Sequence, residues 1–228
     1  MTRGSRQIPP AIFVPEPSAN IDPLPFLWPA GEQIVRVYNS NSPAAASSFY
    51  AGTDDRPGRF NPFKPGRKRK SLPVIYGADR LEGAISETVF HDVPVRGTRI
   101  VDATRFQHHL AVSLSPERDL SLADLTGLGL GRIGVSRGEL IDSDPRSYPQ
   151  TVLWARAIHD HSARFDGLMW VSRQFDRSRA VMLFGDRVTP DELPQDDFSI
   201  PTPLRIGAGL DEVLALAADA GITVTGLE

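Results

Sequence analysis

Apolar and polar positions divide the chain into a proline-rich beginning and a longer stretch with strand and helix periodicity. Residues 1–30 contain seven of the 20 prolines. Because proline fixes φ and lacks a backbone N–H, neither a helix nor a central strand can propagate there. The segment also carries several large apolar residues, namely Ile12, Phe13, Val14, Phe26, Leu27 and Trp28. These are too many for a free tail, so we expect an extended N-terminal arm over residues 1–30 that packs against the body.

After the arm, the periodicity predicts strands and helices in irregular alternation. In IVRVY (34–38), Ile34, Arg36 and Tyr38 share one side, as in a β-branched strand. Further strands are predicted at 72–78, 98–104, 109–115, 166–172, 179–188 and 222–226. Helical spacing predicts helices at 80–91, 149–162 and 209–219, with Asp79 and Glu82 as a capping box for the first. Strands separated by helices at irregular spacing, without a repeat, indicate an α+β fold that forms a single mixed domain over residues 31–228.

A long segment rich in Gly, Pro, Ser and Asp separates the first two strands of this domain. Residues 40–71 are predicted to be loop, with a short strand around Phe49 and Tyr50. Within it, a basic loop (residues 64–70) carries five cations, namely Lys64, Arg67, Lys68, Arg69 and Lys70. Such runs are usually solvated, and a mobile loop is the favoured interpretation; binding of phosphates or nucleic acid is the alternative.

Composition and charge exclude several classes of protein. The 228 residues include no Cys, which rules out disulfides, Cys-type zinc sites and thiol nucleophiles. The five histidines show no HExxH pattern, so we expect no metal site. No apolar run of membrane-spanning length occurs, and prolines interrupt the N-terminus where a signal peptide needs a continuous apolar run, so we expect a cytoplasmic protein without membrane contact. The formal net charge of −3 disfavours a surface devoted to nucleic acid.

One motif formally matches a dinucleotide-binding fingerprint. Gly129-x-Gly131-x-x-Gly134 has the right spacing, but it lies in mid-chain without a surrounding βαβ unit, and Val135-Ser136-Arg137-Gly138 is a weak helix start. A flexible glycine loop is therefore the favoured interpretation.

Polar residues inside otherwise apolar elements are the stronger candidates for a site. Arg36 lies in a β-branched strand, Tyr76 near the end of another, Glu87 on the helix 80–91, and Ser172 at the end of GLMWVS. A site for an anionic nucleotide would use such groups: Arg binds phosphate, Tyr stacks on a ring, and Glu stabilises cationic character at a sugar carbon. The plain alternative makes Glu87 a surface residue or an ion-pair partner of Arg36.

At these residues the sequence resembles the RES family of bacterial toxins, which is named for its Arg, Glu and Ser and belongs to RES-Xre toxin–antitoxin systems. The likeness covers about residues 33–190. The matching segments, in chain order, are Arg36-Val37-Tyr38, Gly58-Arg59-Phe60-Asn61-Pro62, Ile75-Tyr76-Gly77-Ala78, Glu87 in AISETVFH, Asp124-Leu125-Thr126, and Phe165-Asp166-Gly167-Leu168 running to Ser172.

The resemblance implies a fold similar to that of ADP-ribosyltransferases and the cleavage of NAD to release nicotinamide, by hydrolysis or by phosphorolysis. NAD is then a substrate, with inorganic phosphate as an optional co-substrate and no cofactor. Carried over by residue, Arg36 holds the phosphates or ribose, with Tyr38 beside it in the same motif. Tyr76 stacks near nicotinamide, and Glu87 stabilises the oxocarbenium-like ribose. Ser172 orients NAD, and Arg59 is a second candidate for the anionic groups.

The resemblance further implies a toxin restrained by an Xre-like antitoxin, with contact to nucleic acid only through that partner. A homo-oligomer is left open. Two departures from the family pattern, the insertion KPGRKRKS and Arg173-Gln174 after Ser172, leave the acceptor open among water, phosphate and protein. The alternatives are a mono-ADP-ribosyltransferase with a protein target and a non-enzymatic binding module that uses the basic loop.

Overall fold

A mixed β-sheet forms the centre of the fold. The structure, a computed structural model, describes residues 13–41, 46–53, 57–67, 70–197 and 199–228. Its strands are β1 (Pro25–Trp28), β2 (Ile34–Asn39), β3 (Val74–Ala78), β4 (Ile100–Asp102), β5 (His109–Leu114), β6 (Leu120–Asp124), β7 (Gly167–Val171), β8 (Arg179–Phe184), β9 (Thr202–Pro203) and β10 (Thr223–Thr225). Within the described residues, eight of them form one sheet in the order β1-β6-β7-β8-β3-β2-β5-β9, while β10 and β4 pair separately.

Helices cover this sheet and supply one wall of the site. They are α1 (Leu81–Thr88), α2 (Gly127–Ile133), α3 (Arg137–Leu140), α4 (Tyr148–His159) and α5 (Gly207–Asp219), with 3-10 turns at Ala103–Phe106 and Pro145–Ser147. Most neighbouring strands of the large sheet are antiparallel, but β6 and β7 are parallel. Strands and helices thus mix as expected of an α+β fold.

Alternation along the central strands separates two layers of apolar packing. On β3, Val74 and Tyr76 face one cluster, which also contains Trp154 of α4, whereas Ile75 faces the other, which contains Trp28. Strands β7 and β8 alternate in the same way, as period-two geometry requires. Both faces of the central strands are therefore buried.

The ladder between β2 and β3 is unusually short. β2 pairs with β5 along its whole length, but with β3 only at Val35 and Ala78. Gly77 permits this contact, because a Cβ there would lie 2.4 Å from Cγ2 of Ile34 and 3.0 Å from the carbonyl oxygen of Val35. Beyond that pair the two strands diverge and leave a gap, where Tyr50 forms an isolated bridge with Val74.

The described part of the N-terminal arm lies against the body. Val14 and Ile21 are buried in the same cluster as Trp154. The indole Nε1 of Trp154 donates to the carbonyl oxygen of Pro15 at 2.8 Å. The arm ends in β1, an edge strand that begins with Pro25, a position where proline is tolerated in sheets. Residues 1–12, including Ile12, lie outside the described residues.

Most predicted elements are confirmed, but three local predictions are wrong. Asp79 does not cap α1: the N-cap is Arg80, and Asp79 accepts hydrogen bonds from Ser178 and Arg179 instead. The strand predicted at 98–104 is shorter, because Asp102 accepts from the backbone N–H of Thr104 and caps a 3-10 turn.

The third error concerns the glycine-rich segment, which is not a flexible loop but helix α2. Gly129 brings this helix close to β6, since a Cβ there would lie 1.9 Å from the carbonyl oxygen of Asp124. Gly134 ends the helix in the left-handed conformation, with φ of 78°. The glycines lie inside the helix rather than in a strand-to-helix turn, so they form no phosphate cradle of the dinucleotide type.

Candidate active site

The gap between β2 and β3 opens into a cleft made of two adjoining cavities. They have volumes of about 250 and 270 Å3 and share the lining residues Asn61, Tyr76, Glu87 and Thr88. The first also contains Gly58, Arg59, His91 and Asp92, and the second contains Arg36, Val37, Tyr50 and Val74. Segments far apart in sequence therefore meet at the place where β2 and β3 diverge.

Glu87 lies at the centre of this cleft, near the C-terminal end of α1. The Ser172 hydroxyl donates to Oε1 at 2.8 Å, and the backbone N–H of Arg173 donates to the same oxygen at 2.9 Å. Nη1 of Arg59 donates to Oε2 at 3.3 Å. Burial alone would raise the pKa of Glu87, but the charge of Arg59 and these two hydrogen bonds outweigh it and lower the pKa. The carboxylate is therefore ionised at neutral pH.

Arg59 is a buried cation with unused hydrogen-bonding capacity. Its side chain is 2% exposed, and its carbonyl oxygen accepts a hydrogen bond from the Thr151 hydroxyl of α4. Among the described residues, no acceptor lies within hydrogen-bond reach of its Nε or Nη2. A buried guanidinium with two unpartnered donors beside a cavity is suited to bind an anion.

Tyr76 forms the aromatic part of the cleft. Its ring packs edge-on against Trp170, with centroids 6.2 Å apart, and its hydroxyl donates to Oδ1 of Asn61 at 2.8 Å. Burial raises the pKa of Tyr76, so the phenol stays neutral. These contacts hold the Tyr76 ring in one position between the two cavities.

Arg36 lines the second cavity and is held by the loop that follows β2. Its Nη1 donates to the carbonyl oxygens of Ala46 and Ser48, and its guanidinium lies 5.9 Å from the ring centroid of Tyr38. Burial lowers its pKa to about 10, which leaves it charged at neutral pH. The proposed ion pair between Arg36 and Glu87 is wrong, because the cation paired with Glu87 is Arg59.

The predicted site residues thus fall into two groups. Arg36, Arg59, Tyr76 and Glu87 all line the cleft. Ser172 is fully buried beneath it, where it contacts Glu87. Tyr38 packs against the opposite apolar layer and reaches the site only through its contact with Arg36.

Sequence reasoning missed Asn61, His91 and Asp92 as residues of the cleft. His91 follows Glu87 by four positions, the spacing that places two residues on one side of a helix. That spacing was the available signal. Asn61 stands in the GRFN segment, two residues after Arg59.

The basic loop is attached to α4 rather than to the cleft. The backbone N–H of Gly66 donates to Asp160 at 3.3 Å, and Arg156 donates to the carbonyl oxygen of Gly66 at 3.2 Å. Lys64, Arg67 and Lys70 are exposed. Lys68 and Arg69 lie outside the described residues.

The described residues contain neither a metal-binding cluster nor a membrane-spanning helix. In the ranges that the structure covers, no group of three or more His, Asp or Glu side chains is arranged to hold a metal ion. None of the helices there has the length and apolar character needed to cross a membrane.

Comparisons with known proteins match both the sequence and the fold. A family model described as "RES domain" matches residues 33–203. Among solved structures, the chain is similar to a chain of the M. tuberculosis MbcT-MbcA toxin-antitoxin complex, with a TM-score of 0.53 and 17% identity over 84% of this chain and 92% of that one. At this identity the likeness concerns the fold alone. No curated protein matches the sequence.

Proposed function

The chain belongs to the RES domain family, and on that premise we propose that it is a toxin that cleaves the bond between nicotinamide and ribose in NAD. The proposal includes a fold of the ADP-ribosyltransferase type, in which the division between β2 and β3 forms the NAD cleft. It also includes restraint by a partner antitoxin of the Xre type. The similar M. tuberculosis fold, which comes from a toxin–antitoxin complex, supports a partner antitoxin.

The observation that carries the proposal is the ionised Glu87 carboxylate, which accepts hydrogen bonds from Arg59, Ser172 and the backbone N–H of Arg173. When nicotinamide leaves, the ribose carbon C1 becomes cationic, and a fixed negative charge beside it lowers the energy of that state. Nicotinamide departs as a neutral molecule from a pyridinium, so no strong general acid is required. A single carboxylate, kept charged by Arg59 and Ser172, provides the main electrostatic term.

The cations of the cleft are suited to the diphosphate of NAD. Arg59 has two buried N–H groups without a partner among the described residues, and Arg36 lines the adjoining cavity. Charge-assisted hydrogen bonds from guanidinium to phosphate are short and strong. We assign both arginines to the anionic part of the substrate and the Tyr76 ring to nicotinamide.

Ser172 acts on the substrate through Glu87 in this proposal. Its hydroxyl is fully buried and donates to Oε1, so it fixes the orientation and the charge of the carboxylate. The expectation that it also bonds NAD directly stays a prediction.

The proposal is tested by measuring nicotinamide release from NAD by the purified protein. We compare the wild type with Glu87→Gln, and use Glu82→Gln on the same helix as the matched control, since Glu82 borders a different groove. We expect Glu87→Gln to lose at least about 100-fold in rate, the usual size of a transition-state electrostatic term, while Glu82→Gln keeps the wild-type rate. Unchanged release by folded Glu87→Gln would contradict the site assignment.

The toxin assignment is tested separately in growing cells. Induction of the wild-type chain should arrest growth and deplete NAD, whereas Glu87→Gln should do neither at equal protein level. Coexpression of a neighbouring Xre-like protein should restore growth and copurify with the chain. Growth arrest by Glu87→Gln would assign the toxicity to another part of the molecule.

A further inference from the structure

A second titratable pair faces the cavity that contains Glu87. His91 lies in the turn that follows α1, four residues after Glu87, and lines the same cavity together with Asp92. Nδ1 of His91 is 2.9 Å from Oδ1 of Asp92, whose other carboxylate oxygen accepts from Nη2 of Arg105 at 2.9 Å. The hydrogen bond with His91 is the main reason why the pKa of Asp92 is lowered, so Asp92 is a carboxylate at neutral pH. The pair has no part in the roles assigned above.

These contacts define the tautomer of His91. Because the Asp92 carboxylate can only accept, Nδ1 carries the hydrogen, and in the neutral form of the ring Nε2 carries the lone pair. Nε2 is 3.3 Å from the Tyr148 hydroxyl of α4. Burial raises the pKa of Tyr148, so this phenol is a neutral donor to Nε2, and at 3.3 Å the bond is long enough for an incoming water molecule to take its place. A carboxylate behind an imidazole, with a lone pair at the far nitrogen, is the arrangement by which enzymes prepare a histidine to accept a proton.

Charged groups of both signs lie around His91. Glu87 lies four residues earlier near the end of α1, Asp92 contacts the His91 ring, and Tyr148 contacts it from α4. Among the nearby cations, Arg59 pairs with Glu87 and Arg105 pairs with Asp92, while Nε and Nη2 of Arg59 and Nε of Arg173 have no partner among the described residues. The backbone N–H of Arg173, on the loop after β7, donates a hydrogen bond to Glu87, and the Arg173 side chain adds positive charge near Tyr148. A phosphate dianion can attack C1 without losing a proton, whereas water must lose one, so a histidine placed to accept a proton favours water as the acceptor.

We propose that His91, positioned by Asp92, is the base that takes a proton from the water molecule attacking C1 of the ribose, so that the reaction is hydrolysis of NAD. This rests on the proposed function and names its acceptor. The water O–H bond breaks and its proton moves to Nε2, while the oxygen forms a bond to C1. The C1–N bond breaks and its electron pair stays on nicotinamide, which leaves neutral. Nε2 then returns the proton to solvent.

The test measures nicotinamide release and ADP-ribose formation in phosphate-free buffer between about pH 5 and 8, the range in which histidine ordinarily changes charge. We compare the wild type with His91→Asn, and use His108→Asn, an exposed histidine after β4, as the matched control. General-base catalysis contributes typically about 100- to 10,000-fold, so His91→Asn should lose that much rate together with the pH-dependent limb of the profile. His108→Asn should keep both.

Azide separates base catalysis from a structural role. It is already an anion and needs no deprotonation, so it should restore nicotinamide release to His91→Asn and give an azido-ribose product, with little effect on the wild type. Asp92→Asn, which keeps the His91 side chain, should alter the pH profile, and its melting temperature and circular dichroism report whether it folds.

Three results would overturn the inference: wild-type hydrolysis and pH profile in His91→Asn, failure of azide to restore release in that folded variant, or a wild-type reaction that requires phosphate. In each of these the cleavage of NAD itself still stands. No nicotinamide release by the wild type would instead contradict the proposed function.

Discussion

Replacing Ser172 by alanine removes one of the three contacts that hold Glu87 ionised. The hydroxyl is fully buried, and alanine fills almost the same space, so the change deletes a hydrogen bond without opening a sizeable cavity. A hydrogen bond to a charged group contributes about 1.5–3 kcal/mol to stability. Because Oε1 keeps the N–H of Arg173, we expect a loss of about 1.5–2 kcal/mol in the free energy of unfolding at pH 7, in the lower part of that range.

The loss should depend on pH in a defined direction. The pKa of Glu87 is below its ordinary value of 4.5 in the folded protein, so its contribution to stability is complete above pH 4.5 and disappears as the pH falls through the lower folded value. Ser172→Ala moves the folded pKa back towards the ordinary value. The difference in unfolding free energy between wild type and variant should therefore shrink as the pH is lowered below 4.5.

Urea unfolding followed by tryptophan fluorescence measures this difference at pH 7 and at the lowest pH at which both proteins fold. Ser178→Ala is the matched control, since its hydroxyl is also buried and donates to a carboxylate, Asp79, at 2.6 Å. We expect Ser178→Ala to lose stability but to release nicotinamide like the wild type, while Ser172→Ala loses both stability and rate. An equal difference at both pH values would refute the argument that Ser172 stabilises the ionised carboxylate.

Three further substitutions test other contacts. Arg36→Gln should raise KM for NAD by about 10- to 150-fold, the equivalent of one charge-assisted hydrogen bond, and should also lower the melting temperature, because the bonds to Ala46 and Ser48 are lost; steady-state kinetics and a melting curve measure the two effects. Tyr76→Phe deletes the bond to Asn61 but keeps the ring, so nicotinamide release should fall less than in Tyr76→Ala; equal losses would mean that the ring does not contribute. Trp154→Phe deletes the bond to Pro15, which costs about 0.5–1.5 kcal/mol, and leaves a cavity at this buried position that adds to the loss; proteolysis inside the arm should be faster, and unaltered cleavage would show that the arm is held by other contacts.

The sequence predicts elements well where periodicity and packing agree. Helix α4 runs over Tyr148–His159, close to the predicted 149–162, and β2 over Ile34–Asn39, close to 34–38. Helix α2 is missed because glycine has a low helix propensity, and nothing local shows that Gly129 is needed for contact with Asp124. Its requirement arises only when the helix packs on β6.

The sequence singled out four residues that line the cleft, Arg36, Arg59, Tyr76 and Glu87, but not the contacts between them. The order of the motifs indicates that Arg59, Tyr76 and Glu87 belong together, because each stands in a recognisable segment. The partner of Glu87 was not predictable, because Arg36 and Arg59 both stand in sequence motifs and either could pair with it. Only the structure shows that Arg36 instead donates to the carbonyl oxygens of Ala46 and Ser48. The bond from Ser172 to Glu87 joins positions 85 residues apart, which no local pattern encodes.

Arg59 links the stability of the protein to its proposed substrate. Removing a guanidinium from water is costly unless its donors are paired, and Glu87 pairs with only one of its nitrogens among the described residues. The Glu87 carboxylate therefore offsets part of the desolvation cost of Arg59, and a ligand that binds the other two nitrogens can offset the remainder. A ligand that supplies acceptors to Nε and Nη2 gains more than it would on an exposed arginine, because those donors have no competing water shell in the buried site. The same feature that weakens the free protein thus favours binding of an anion in the cleft.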